Sequence, residues 1–117
     1  MKWIILWLLI DAGSAQVDYP PQQEVVQAAA IYPWDQVRSL SIAWCESYHS
    51  PTAVNSKSDD HGAWQVSRPY WEEIFRGRTW DRRYTAEGSA AMAWHIFSWG
   101  EKRFGDGWQL WTCGRYR

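Results

Sequence analysis

Apolar and polar positions along the chain separate three helical stretches from a polar middle. From about Pro33 to Ser47 the residues Val37, Leu40, Ser41 and Trp44 recur at i, i+3, i+4 and i+7, which predicts an amphipathic helix with that face inward. Ile42 and Cys45 would widen the buried arc. Pro33 suits a first helical turn and Asp35 complements the dipole there. Residues 48–66 are polar and turn-forming, with His49-Ser50-Pro51, then Asn55 to Asp60, then Gly62, and predict a loop or small hairpin ending in Gly-Ala-Trp-Gln-Val. A second helix is expected near Pro69, with Ser67 as its cap and Trp71, Ile74 and Phe75 buried. A third should run from Thr85 or Ala86 to Trp99, on the spacing of Met92, Ile96 and Trp99, with Gly100 ending it. Residues 16–32 read as a linker or loose arm broken by Tyr19-Pro20-Pro21, in which the Gln/Ala stretch suits a short helix.

The first fifteen residues have a different pattern. Lys2 precedes an apolar run, Trp3 to Ile10, too short to span a bilayer, and Gly13-Ser14-Ala15 supplies the small residues a signal peptidase reads. The expectation is a signal peptide over 1–15 and export; a buried first helix or an uncleaved anchor is the competing reading. In an exported chain two cysteines, Cys45 and Cys113, read as one disulfide, with buried free thiols or a metal site as alternatives.

Composition adds one domain's worth of chain: 117 residues, 46% hydrophobic, net charge −1. Basic residues concentrate after position 67, in a half that could face a polyanion, though a solvated arginine-rich surface explains them as well. They are scattered and the whole chain is not basic, so nucleic-acid binding is not expected. Eleven tryptophans fit either a tryptophan-heavy core or a surface surplus suited to sugars, on whose rings indole faces stack; composition alone does not separate the two.

Glu46 ends the apolar helical run between Cys45 and Ser47. A carboxyl among apolar side chains has its charged form disfavoured, and a proton-bearing glutamate near neutral pH is what a glycosidase uses to protonate a leaving oxygen. On position alone, a glutamate pointing into water at a helix terminus is the simpler explanation.

The ordered blocks Cys45-Glu46-Ser47, Ala53-Val54-Asn55 and Gly62-Ala63-Trp64-Gln65, with Trp108-Gln109-Leu110-Trp111-Thr112-Cys113 at the end, resemble the lysozyme-like superfamily. The likeness is to the soluble lytic transglycosylase domain and to secreted resuscitation-promoting factors and phage lysins, and it covers roughly residues 33–113. Alanine stands at position 63 where that family usually has leucine, and Glu87-Gly88-Ser89 stands where relatives carry an Asn-Ile pair. A second likeness, to animal-type lysozymes, lies in Asp60-His61-Gly62 followed by Gln65. The resemblance implies a mainly α, α+β lysozyme-like fold over 33–117: a small helical domain with a short loop or hairpin lobe and one disulfide. It implies cleavage of the β-1,4 bond between N-acetylmuramic acid and N-acetylglucosamine in peptidoglycan, with Glu46 as general acid and then base. Asp60 is the candidate second carboxylate; Asp59 and Asp60 read equally well as turn residues. Ser47, Asn55, Trp64 and Gln65 are the candidate substrate-binding residues, with a core role for Trp64 and a structural one for Asn55 at least as natural. No metal or organic cofactor is implied. The implied partners are peptidoglycan glycan strands, with no nucleic acid and no stable membrane insertion after signal cleavage, and the implied state is a monomer, secreted or wall-associated, of bacterial or phage origin.

Three alternatives have sequence features of their own. Cys45 could be a nucleophile with His49, His61 or His95 as its base, though no papain-type signature surrounds it. Cys45, His49, His61 and Cys113 could hold zinc, at spacings that match no common ligand pattern. The same fold could bind wall glycan without cleaving it.

Overall fold

A computed structural model describes residues 21–115; the expected signal peptide lies outside them. The order of elements is α1 (Pro21–Ala29), α2 (Gln36–Ser47), β1 (Val54–Asn55), β2 (Asp60–His61), β3 (Val66–Ser67), α3 (Arg68–Trp71), α4 (Arg78–Asp81), α5 (Ala86–Phe104), a 3₁₀ turn (Gly107–Leu110) and α6 (Thr112–Arg115). The molecule is mainly α, with a small three-stranded antiparallel sheet in the order β1-β2-β3. Among the described residues no helix is long and apolar enough to cross a membrane.

Helix α5 is the central support. Thr85 caps it, its hydroxyl accepting from the Gly88 amide, and Met92, Ala93 and Ile96 are buried along it. It outruns the expected end at Gly100 and stops at Gly105, which takes the left-handed conformation. Gly100 has another use. A Cβ there would stand 3.0 Å from the Gly107 Cα and 2.8 Å from a Leu110 methyl, so its bareness lets the 3₁₀ turn lie close against the helix. Trp99, expected in the core, is 42% exposed.

The Gln/Ala stretch forms the short helix expected there, but it is packed rather than loose. Val25, Ala28 and Ala29 on α1 are buried, and the Trp34 indole N–H donates to the Ala29 carbonyl at 2.8 Å. Trp34 then gathers the aromatic core, with ring centroids 5.2–6.1 Å from Tyr32, Trp64, Trp94, Phe97 and Trp108. Such pairs contribute about 0.5–1.5 kcal/mol each beyond their burial.

Helix α2 presents a different face from the one its largest apolar residues suggest. Asp35 caps it through the Arg38 amide, at 3.1 Å. Ser39, Ile42, Ala43 and Ser47 are buried, while Val37 is 80% exposed and Trp44 is half exposed. The reason is close approach: small residues let the helix sit near Trp64, whose indole N–H donates to the Ser39 carbonyl at 3.2 Å. Glu46 stands on this inward face, seven residues after Ser39.

The expected second helix is also shorter. Only Arg68–Trp71 is helical, Ser67 makes no side-chain cap bond, and turns follow. Phe75 is buried but Ile74 is exposed. Within the sheet lobe Gly62 has φ +83°, and a Cβ on it would meet the Arg83 carbonyl oxygen at 2.3 Å.

Cys45 and Cys113 form the disulfide, Cα atoms 6.1 Å apart, joining the end of α2 to α6. The thiols needed for a cysteine nucleophile or a zinc site are therefore spent. A loop of this length contributes on the order of 4 kcal/mol in the chain-entropy account. Arg38 adds a second tie between the same elements, donating to Asp106 and to the Gly114 carbonyl.

Candidate active site

The end of α2, the sheet, α3, the outer part of α5 and the C-terminal turns enclose a cleft of about 460 Å³. Glu46 and Asp60 both line it. Its apolar wall includes Tyr70, Trp71, Ile96, Trp99 and Trp111. Tyr70 is 77% exposed, so an aromatic edge stands free at the rim.

Glu46 is half buried, and burial pushes its carboxyl above the usual carboxylate range. The negative charge of Asp60 adds to that, while one backbone hydrogen bond opposes it: the Cys113 amide donates to Glu46 Oε2 at 3.2 Å. Among the described residues no arginine or lysine forms an ion pair with Glu46. The group is thus biased toward its protonated form and fixed at one oxygen. That state suits a general acid at the mouth of a cleft.

The two adjacent aspartates diverge because Asp59 ends the turn before β2 in a left-handed conformation, φ 60°, while Asp60 is the first residue of the strand. Asp60, on β2, faces the cleft and accepts from the Ser58 hydroxyl at 2.7 Å. Asp59 turns to the other side. It accepts from His61 Nε2 at 2.6 Å and from Arg68 at 3.3 Å, and the His61 bond, helped by Arg68, holds its carboxyl below the usual range. His61 is buried and its Nδ1 meets the Tyr84 hydroxyl at 2.6 Å, so this histidine braces the lobe. His49 Nε2 meets the Leu40 carbonyl, and His95 is exposed, edge-on to Phe75.

Of the residues expected to bind substrate, Gln65 lines the cleft and three do not. Gln65 takes φ 52°, and its amide nitrogen donates to the Ala53 and Gly62 carbonyls at 3.2 and 2.9 Å. Those bonds hold a backbone conformation that costs a residue with a side chain. Trp64 is 0% exposed and belongs to the core. Ser47 is buried, its hydroxyl 2.7 Å from the Ala63 carbonyl and 3.0 Å from that of Ala43, which fastens the helix end to the sheet lobe. Asn55 caps the β1–β2 turn, its side-chain oxygen accepting from the Lys57 and Ser58 amides.

The aromatic wall and the C-terminal lining, Leu110 to Thr112 with Arg115, were not singled out as a site from the sequence. The tryptophan surplus was the signal available for the wall. Arg115 donates to the Gln109 carbonyl at 3.0 Å and makes no carboxylate pair among the described residues, so a cation stands on the cleft. A hollow of similar size between α1 and the start of α5 carries Glu24 and Glu87, but both are exposed. Among the described residues no group of three or more His, Cys, Asp or Glu is placed to hold a metal ion. Comparison with protein-family models, with curated proteins and with solved structures finds no match.

Proposed function

We propose that the chain is a peptidoglycan-cleaving glycosidase of lysozyme-like type, acting on the β-1,4 bond between N-acetylmuramic acid and N-acetylglucosamine. The observation that carries this reading is Glu46: a half-buried carboxyl, raised above its ordinary range, on a cleft with aromatic walls and with no ion-paired arginine or lysine among the described residues. Protonated Glu46 gives its proton to the glycosidic oxygen as the C–O bond breaks and positive charge develops at the sugar's anomeric carbon. Asp60 shares the cleft and favours the hydrolytic route, as the carboxylate that stabilises or attacks that carbon. In the transglycosylase route the sugar's own 6-hydroxyl closes on the anomeric carbon, Glu46 takes its proton, and the product is an anhydro sugar. Tyr70 and Trp99 offer ring faces to sugars, and Arg115 suits the carboxylates of wall peptides. Export, and work at the wall, accompany this activity in the proposal.

The exposed aromatic rim also supports a second reading, a wall-glycan binding module without catalysis. Glu46→Gln separates the two. It keeps the shape and an acceptor for the Cys113 amide but has no acidic proton. The enzyme reading expects dye release from labelled cell walls to fall at least about 100-fold, in line with losing a general acid, with wall binding retained. Wild-type protein that binds walls and releases nothing would favour the module.

A further inference from the structure

The disulfide meets Glu46 from both sides. Cys45 is its neighbour in the chain, and Cys113, across the bridge, supplies the backbone amide that reaches Glu46 Oε2. Cys113 also lies in the segment whose Trp111, Thr112 and Arg115 form one wall of the cleft. Cys45 is exposed, so the bridge is open to an attacking thiolate.

We infer that the Cys45–Cys113 bridge is a redox-sensitive positioning element for Glu46, holding the Cys113 amide against the carboxyl and lowering activity when it is reduced. The inference rests on Glu46 being the acid of the proposed reaction. A dithiol is the reductant. One of its thiolates attacks a bridge sulfur and breaks the S–S bond; the second resolves the mixed disulfide. The products are two protein thiols, Cys45 and Cys113, and the oxidised dithiol. With the bridge open, Arg38 remains as a tie to Asp106 and Gly114. The turn at 112–115 loses its covalent hold, and the amide that steadied one oxygen of Glu46 moves away. As Glu46 gives up its proton in the transition state its carboxylate becomes charged, and a hydrogen bond to that charge has the strength to make its loss worth about tenfold in maximal rate. The chain would be slow in a reducing compartment and fast in an oxidising one.

Two measurements test this. In the oxidised protein, the Cys113 amide resonance is followed by NMR against pH, in wild type and in Glu46→Gln. It should titrate in step with the Glu46 carboxyl and be flat in the variant. The protein is then reduced with dithiothreitol below its melting temperature, with dispersed indole resonances as the check on folding. The Glu46 titration should move to higher pH, wall clearing should fall about tenfold, and reoxidation should restore both. A Cys113 amide that ignores Glu46 overturns the inference, as does a reduced, folded chain with the oxidised pH profile. Loss of indole dispersion on reduction also overturns it, since the bridge is then a general staple. If the amide titrates as expected but no state of the protein clears walls, the glycosidase reading fails while the hold on Glu46 stands.

Discussion

At the scale of single residues, Glu46 is a compromise. Burial disfavours its charge, so the folded chain holds that proton more tightly than the unfolded chain does. The sign follows: below the ordinary carboxylate range both states are protonated and the group is neutral to stability. As pH rises from that range through the raised folded value, ionisation destabilises the fold. Glu46→Gln should therefore melt higher than wild type at pH 7, and the gap should close near pH 3; scanning calorimetry at both values checks it. Equal melting at pH 7 would contradict a strained carboxyl. Asp60 raises the Glu46 proton affinity through its charge. Asp60→Asn should shift the alkaline limb of wall clearing to lower pH. If Asp60 also serves the hydrolytic route, the maximal rate should fall at least about tenfold. An unmoved limb would show that the two groups do not sense each other.

At the scale of elements, the sheet lobe depends on one turn. Gly62 needs a positive φ and stands where a Cβ would strike the Arg83 carbonyl. Gly62→Ala should cost roughly 2 kcal/mol or more, read as a lowered urea midpoint with unchanged m-value. A change within a few tenths would mean the lobe yields there. The elements also separate what the sequence shows from what it hides. Helix α5 was legible because Met92 and Ile96 repeat at helical spacing and both are buried. The end of α2 was legible too, and with it the placement of Glu46. Its buried face was not. Val37 and Trp44 are the larger apolar residues, yet Ser39 and Ala43 go inward because their size permits close backbone approach. Asp60 could not be told from Asp59 by composition; the left-handed turn conformation of Asp59, just before strand β2, separates them. The aromatic wall draws on α3, α5 and Trp111 just after the 3₁₀ turn, far apart in the chain, and no local pattern marks it. A backbone amide such as that of Cys113 has no sequence signature at all.

At the scale of the whole molecule, the long α5, the aromatic core around Trp34 and the disulfide bring the end of α2 and the C-terminal segment to one cleft. The central claim is that this cleft lets a protonated Glu46 break a glycan strand. Mass spectrometry of purified peptidoglycan after digestion tests it most directly, with wild type and Glu46→Gln side by side. The account predicts soluble muropeptides cut between the two amino sugars for wild type, with reducing ends if water attacks and anhydro ends if the 6-hydroxyl does, and intact glycan for the variant. Intact glycan after wild-type treatment, or the same fragments from both proteins, would contradict it.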